Sequence, residues 1–216
     1  DHRDLHYPLR RQRQMCIRDS YDNDGYPDIF LAGWGKTHRL YHNLKNLVFE
    51  DATDALNFKG ILDANQGLWL DVDNDGYLDL YITDEHSSNR LFKNNKNGYF
   101  TESIWTNTFI DSAISQGACT GDFDMDGDMD IYVCNWFAPD YLLINDGSGL
   151  FDKSNLSLPT LIESYQSNSA SSGDMDNDGD LDLLVSTKDG HIYFYRNGSR
   201  SNSLDYRMDT ANSLDF

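Results

Sequence analysis

The chain has 216 residues and a formal net charge of −19, with 36 acidic side chains against 17 lysines and arginines. This balance argues against a nucleic-acid partner, because binding a phosphate backbone requires clustered basic side chains. Apolar residues make up 39% of the chain, which is enough for a core. No apolar run approaches the roughly 18 residues of a membrane-spanning helix, so the composition favours a globular, cation-binding protein without a membrane span.

Residues 1–19 differ in character from the rest of the chain. They contain five arginines, and the string RQRQMCIRDS that begins at residue 11 is typical of a translated sequencing-adapter remnant. No apolar stretch follows the basic start, which excludes a signal peptide. We predict a non-native or disordered basic segment in a chain truncated at its N-terminus, with a natural disordered arm as the alternative.

Four aspartate-rich stretches begin at residues 20, 71, 122 and 174, so the chain repeats every 51 or 52 residues. They read SYDNDGYPDIFLAGW, DVDNDGYLDLYITD, DFDMDGDMDIYVCNW and DMDNDGDLDLLVSTK. An asparagine follows each start by 23 residues, at Asn43, Asn94, Asn145 and Asn197. Six residues later stand Phe49, Phe100, Phe151 and, in the fourth copy, Ser203. The spacing predicts four repeats over residues 20–199 and a divergent or truncated tail over residues 200–216.

Each aspartate-rich loop is followed by a short apolar run, over residues 29–31, 80–82, 131–133 and 183–185. The length of these runs and their β-branched and aromatic content favour strands over helices. Further short strands are predicted around RLFKN and YFTES, and one around GLWL before the loop. Four short strands in about 51 residues match the size of one β-propeller blade.

The aspartate loops, the segment NRLFKNNKNGYF and the lead-in GLWLDVDNDG resemble FG-GAP/VCBS-type repeats, the family that includes the integrin α-chain propeller. The resemblance covers residues 20–199. It implies an all-β fold of about four four-stranded propeller blades, as an open fragment of a larger, seven-bladed propeller. A closed four-bladed ring is the alternative.

The loops are predicted to bind up to four Ca²⁺ ions, one in each repeat, because Ca²⁺ prefers six to eight oxygen ligands. A glycine at the sixth loop position allows the chain to turn inward. A helical calcium hand is excluded, because its twelfth position needs a glutamate and is apolar here. An acidic turn without metal is the alternative, disfavoured by the mutual repulsion of the aspartates. The predicted ligands are Asp22, Asp24, Tyr26, Asp28, Asp71, Asp73, Asp75, Tyr77, Asp79, Asp122, Asp124, Asp126, Asp128, Asp130, Asp174, Asp176, Asp178, Asp180 and Asp182, each tyrosine through its backbone carbonyl.

Ser20 replaces the first aspartate of the first loop, so we expect the first site to bind more weakly. His38 and His42 are not expected to bind zinc, because a spacing of four residues does not bring them to one face of a loop and a strand. Cys119 and Cys134 flank the third loop and leave two alternatives, a cross-strand disulfide or two buried free thiols.

Ligand recognition is expected in the loops between the second and third strands, because their sequences vary most among the copies. Trp34 and Trp136 share the same repeat position and are candidate platforms for a sugar or protein ligand, with edge packing as the alternative. The resemblance implies a non-catalytic, calcium-stabilised module for extracellular adhesion or ligand binding. An accessory or catalytic propeller domain of a secreted carbohydrate-active enzyme is the alternative.

Overall fold

The computed structural model describes residues 20–35, 38–58, 63–105, 113–154, 166–198, 205–208 and 214–215. The predicted basic segment at residues 1–19 lies outside the described residues, as does most of the predicted tail. Apart from one 3-10 helix at Thr53–Leu56, the regular elements of the described residues are β-strands. This part of the chain therefore contains no helix with the length and apolar character needed to cross a membrane.

The strands form four antiparallel sheets that follow one another along the chain. The first sheet contains β1 (Ile29–Leu31), β2 (Arg39–Asn43) and β3 (Phe49–Asp51). The second contains β4 (Ala64–Leu70), β5 (Asp79–Asp84), β6 (Arg90–Asn94) and β7 (Phe100–Ser103). The third contains β8 (Ile114–Gly121), β9 (Asp130–Trp136), β10 (Tyr141–Asn145) and β11 (Phe151–Lys153). The fourth contains β12 (Ser167–Gly173), β13 (Asp182–Thr187), β14 (His191–Asn197) and β15 (Tyr206–Met208), and β16 (Leu214–Asp215) also pairs with β14.

Apart from β16, the strands of each sheet pair in sequence order, as in the blade of a propeller. The sheets also contact one another in chain order, β1 with β4, β4 with β8, and β8 with β12. The described residues thus form an open run of blades, which confirms the predicted fold class. The strands predicted around GLWL, RLFKN and YFTES are β4, β6 and β7.

The core lies between successive blades, and the second strand of a blade contributes to it on both faces. In β5, Leu80 and Ile82 pack with Leu40 of the first blade, whereas Tyr81 packs with Ile131 of the third. All six residues of β5 are buried. A strand covered on both faces can be continuously apolar, which explains the unbroken runs after the aspartate loops.

Each end of the run exposes an apolar face that an interior blade buries against its neighbour. Ile29 and Leu31 in β1 are 39% and 49% exposed, although they occupy the positions of Leu80 and Ile82 in the repeat. Leu184 in β13 is 37% exposed, whereas its equivalent Tyr81 is fully buried. These faces have the composition of the interior blade contacts.

The asparagine that recurs in each repeat connects neighbouring blades. Asn94 Nδ2 donates to the carbonyl of Tyr21 in the preceding blade at 2.6 Å and to that of Leu78 in its own blade at 3.0 Å. The same contact to the preceding blade joins Asn145 to Val72 at 2.9 Å and Asn197 to Phe123 at 3.1 Å. The repeat therefore keeps asparagine here because its amide satisfies buried carbonyls across the junction.

The outer strand of the fourth blade begins later than the repeat spacing predicts. In the first three blades the asparagine pairs with the phenylalanine six residues on, as Asn145 does with Phe151. In the fourth blade Asn197 pairs with Tyr206, which takes the register position that the spacing assigned to Ser203. Tyr206 is buried, and its hydroxyl donates to the Leu181 carbonyl at 2.6 Å. A longer connection thus separates β14 from β15.

Cys119 and Cys134 are both buried free thiols. In the register of β8 and β9, Cys119 lies opposite Tyr132, and Cys134 lies opposite Gly117. The two cysteines are therefore not directly paired across the hairpin. Of the two alternatives that the sequence left open, the structure has the free thiols.

Candidate metal centres in the aspartate loops

Each aspartate loop turns through residues with left-handed backbone angles. We number the loop positions from Ser20, Asp71, Asp122 and Asp174, so that Gly76 is at position 6 of the second loop. Gly76 has φ +87°, and the equivalent glycines of the other loops also have positive φ. This confirms the predicted reason for glycine at position 6, since other side chains rarely adopt this conformation.

The aspartate at position 9 closes the base of the loop. Asp79 is 1% exposed; its Oδ1 accepts the Asn94 backbone N–H at 2.7 Å, and its Oδ2 accepts that of Val72 at 3.1 Å. Burial raises the pKa of Asp79 to about 7, against the opposing effect of these two backbone donors. The same pair of bonds recurs at Asp28, Asp130 and Asp182. Position 9 therefore has a structural role in every blade.

Positions 1, 3 and 9 converge in the second, third and fourth loops. One carboxylate oxygen from each residue lies within 4.8 Å of the other two. The three clusters are Asp71, Asp73 and Asp79; Asp122, Asp124 and Asp130; and Asp174, Asp176 and Asp182. Three carboxylates at this separation repel one another strongly unless a cation lies between them.

The predicted ligands at positions 5 and 7 lie outside these three clusters. Asp75 Oδ1, at position 5, accepts the backbone N–H of Tyr77 at 2.9 Å and so stabilises the turn itself. The same bond forms in the other loops. At position 7, Asp128 Oδ1 accepts a hydrogen bond from Asn74 Nδ2 of the preceding blade at 2.6 Å. Metal ligation at positions 5 and 7 in these loops stays a prediction.

The clusters fit a hard divalent cation. Asp73 Oδ1 and Asp122 Oδ1 are buried and have no hydrogen-bond partner. A buried acceptor left without a donor costs free energy, which an ion between the carboxylates would recover. Burial also raises the pKa of Asp71 and Asp122 above the ordinary range of aspartate. A donor set made of oxygen alone suits Ca²⁺ or Mg²⁺ better than Zn²⁺.

The first loop has a different cluster, formed by Asp22, Asp24 and His42. Ser20 Oγ donates to Asp22 Oδ1 at 3.0 Å. His42 Nδ1 lies 3.1 Å from Asp28 Oδ1, and its Nε2 lies 3.7 Å from Asp22 Oδ2. His42 was not predicted as a site residue, because its spacing from His38 alone gave no reason to place it at the loop. Its place directly before Asn43 was the available signal, since that position faces the aspartate loop.

Trp34 and Trp136 lie at blade junctions, at the end of the strands opposite the aspartate loops. Trp34 is 55% exposed, and its Nε1 donates to Asn65 Oδ1 at 3.0 Å. Trp136 is half-buried and makes the same bond to Asn168. Each asparagine belongs to the first strand of the next blade. Lys188 Nζ lies 4.2 Å from the centroid of a Trp136 ring. The two tryptophans thus share a bond to the next blade as well as a repeat position.

Comparison with known families agrees with this repeated geometry. The FG-GAP-like repeat matches the chain over residues 21–82, 71–133 and 122–185. The chain belongs to the FG-GAP-like repeat family. Each region of this FG-GAP-like chain that matches the repeat begins in one aspartate loop, contains the next loop and ends in the strand after it. Each matched region therefore contains candidate metal clusters and the junction between two blades.

A solved structure of an Agrocybe aegerita lectin has a similar fold, with a TM-score of 0.59 at 20% sequence identity. The similarity covers 86% of the FG-GAP-like chain and 49% of the lectin, so the chain spans about half the length of that protein. The lectin structure is described as the basis of specific recognition of non-reducing terminal N-acetylglucosamine. A search of curated proteins found no match.

Proposed function

We propose that this FG-GAP-like chain is a calcium-stabilised, non-catalytic propeller module that binds a glycan or protein ligand outside the cytosol. The observation that carries the proposal is the recurrence of the three-carboxylate cluster in successive blades, with orphaned buried oxygens in two of them. FG-GAP-like repeats are commonly calcium-binding and typical of extracellular proteins, which supports both the ion and the location. Extracellular calcium modules work at about 10⁻⁴–10⁻³ M.

The proposed ion has a structural role. Ca²⁺ would supply positive charge between carboxylates that otherwise repel. Positions 1 and 3 would hold it together with the buried carboxylate at position 9. The carboxylate at position 5 stabilises the turn that contains these residues. In the second loop, Asp75 does so by accepting the backbone N–H of Tyr77. In this role the side chains bind the ion and orient one another, and they transfer no proton.

Calcium binding is tested by thermal unfolding of the full chain with EDTA and with added CaCl₂. A ligand present at 100 times its dissociation constant stabilises the folded state by about 2.7 kcal/mol per site. We therefore expect the melting temperature to fall by several degrees in EDTA and to recover with Ca²⁺. An identical melting curve in both buffers would reject a structural ion.

Ligand binding is proposed at the opposite end of the blades, around Trp34 and Trp136. A half-buried indole beside amide and basic groups, as with Trp136 between Asn168 and Lys188, still provides an apolar face next to hydrogen-bonding partners. Such surfaces bind sugars and amphipathic protein side chains. The similarity to a lectin supports a glycan as one of the two ligand classes.

A screen of immobilised glycans and secreted proteins, with and without Ca²⁺, tests this part of the proposal. Trp34→Ala and Trp136→Ala should reduce binding at least about tenfold, because aromatic anchors dominate such contacts. Tyr99→Ala is the control matched to Trp34→Ala, since Tyr99 is an aromatic residue at the metal end that is about as exposed as Trp34. Binding that is unaffected by the tryptophan variants would place the ligand elsewhere. Release of sugar from a bound glycan would favour a carbohydrate-active enzyme.

A further inference from the structure

In the second and fourth blades, the residue directly before the recurring asparagine pairs with the aspartate at loop position 3. In the second blade Lys93 Nζ is 2.7 Å from Asp73 Oδ2. In the fourth blade an Arg196 guanidinium nitrogen is 2.9 Å from Asp176 Oδ2. The third blade has Ile144 at this position, and its side chain packs against apolar core residues. Two of the three carboxylate clusters therefore contain a tethered cation, and the third does not.

The second loop has a further ion pair that the third loop lacks. In the second loop, Lys96 Nζ lies 3.0 Å from Asp75 Oδ2. The third blade has Gly147 at the position of Lys96 in the repeat. Within the described part of the chain, no lysine or arginine forms an ion pair with an aspartate of the third loop. That loop nevertheless contains five aspartates, at Asp122, Asp124, Asp126, Asp128 and Asp130.

We infer that the third loop is the tightest cation site of the three, and that Lys93 and Arg196 lower the affinity of the second and fourth. The inference rests on the proposed calcium binding and adds an order among the sites. An ion entering the second loop must displace Lys93 from Asp73 or remain beside its charge. In water, Ca²⁺ and a single positive charge about 6 Å apart repel enough to weaken binding about tenfold. The two lysines of the second loop should weaken it more than the single arginine of the fourth. At low calcium the third loop fills first.

The order of filling can be measured site by site, because each loop has its own reporter at position 6. The amide of Gly76 donates to Asp71 Oδ2 at 2.9 Å, and that of Gly127 donates to Asp122 Oδ2 at 3.1 Å. Gly179 occupies the same position in the fourth loop. Amide chemical shifts of these three glycines, followed while the ¹⁵N-labelled full chain is titrated with CaCl₂, report three midpoints. We expect the Gly127 midpoint lowest, then Gly179, and that of Gly76 at least about tenfold above Gly127.

Two reciprocal variants test the cause of this order. Lys93→Met should lower the Gly76 midpoint about tenfold and change the Gly127 midpoint much less, because Lys93 Nζ pairs with Asp73 and contacts the third blade at the Ser148 carbonyl, 3.3 Å away. Ile144→Lys should raise the Gly127 midpoint about tenfold. Lys188→Met is the control, because it removes the same charge at the opposite end of the fourth blade. It should change none of the midpoints by more than about twofold, since exposed charges beyond about 10 Å are screened.

The outcomes separate this inference from the proposed function. Equal midpoints, or a Gly76 midpoint below that of Gly127, would overturn the inference while calcium binding stands. A Gly76 midpoint that is unchanged by Lys93→Met would also overturn it. If none of the three glycines responds to Ca²⁺ in the wild-type chain, the proposed calcium binding itself fails. The wild-type titration decides the order even if a variant does not fold.

Discussion

Replacing Asn145 by alanine should destabilise the protein strongly, because this side chain satisfies four backbone groups at the junction of the second and third blades. Its Nδ2 donates to the carbonyls of Val72 at 2.9 Å and Met129 at 3.1 Å. Its Oδ1 accepts the N–H groups of Gly147 at 3.1 Å and Gly149 at 3.3 Å. Asn145 itself is 2% exposed. The substitution removes all four bonds together.

The expected loss follows from which of these groups stay buried. The bonds to Val72 and Gly149 are buried, and each group left unpaired there costs about 1–3 kcal/mol. The bonds to Met129 and Gly147 are partly buried, so those groups can bind water instead. We therefore expect the free energy of unfolding to fall by about 4 kcal/mol, which is a large part of the usual stability of a domain.

Urea unfolding followed by tryptophan fluorescence measures this loss. Asn97→Ala is the matched control, because Asn97 is exposed and accepts one bond, from the Tyr99 N–H at 3.1 Å. It should cost about 0.5 kcal/mol or less. Asn94→Ala, which removes the equivalent contact to Tyr21 between the first two blades, should behave like Asn145→Ala. Unfolding free energies of Asn145→Ala and Asn97→Ala that differ by less than about 1 kcal/mol would refute this role of Asn145.

Two further predictions concern the fourth blade and the cysteines. Tyr206→Ala should lower the free energy of unfolding by about 3–4 kcal/mol, because removing a buried aromatic side chain leaves a cavity. Tyr206→Phe should lower it by only about 1 kcal/mol, because it removes only the hydrogen bond to the Leu181 carbonyl. Urea unfolding measures both, and a Tyr206→Ala loss no larger than that of Tyr206→Phe would contradict the register found for β15. In a Cys16→Ser background, Cys119 and Cys134 should not react with a thiol reagent in the folded state and should both react after denaturation. Burial raises the pKa of Cys119 to about 12 and that of Cys134 well above its usual value, so neither forms a thiolate at neutral pH. Rapid labelling of the folded protein would count against the buried free thiols.

The sequence predicted the fold well because most signals of the repeat recur in all four copies. The apolar run 80–82 lies within β5, and the glycine at position 6 has the expected positive φ. The later start of β15 was not predicted, because an insertion between Asn197 and Tyr206 shifts the pairing residue without changing the pattern before it. Local patterns specify elements, whereas a pairing across a longer connection depends on packing.

The candidate sites were predicted in composition but not in detail. The spacing identified the aspartates of each loop, yet it could not distinguish position 5, which holds the turn, from positions 1, 3 and 9, which converge. That distinction depends on where each side chain points after the chain turns. His42 and Lys93 approach the loops from another strand of the blade, and a motif within one loop contains no information about them.

The position 9 aspartate and the recurring asparagine form one hydrogen-bonded path across the blades. Asp79 Oδ2 accepts the Val72 N–H, the Val72 carbonyl accepts from Asn145 Nδ2, and the Asn145 N–H donates to Asp130 Oδ1. The same sequence of contacts continues through Phe123 to Asn197 and Asp182. A carboxylate that belongs to a candidate metal cluster therefore also maintains the contact between blades.

This shared carboxylate determines how the metal clusters can be studied. A substitution at position 9, such as Asp130→Asn, removes a cluster oxygen and disturbs two buried backbone bonds at once. A loss of stability in that variant would not separate the two effects. Asp73 at position 3 pairs with Lys93 through Oδ2 and has an unpartnered Oδ1, so its contacts leave the path between blades intact. Asp73→Asn is therefore the cleaner variant for cation binding, and Asn145→Ala the cleaner variant for blade coupling.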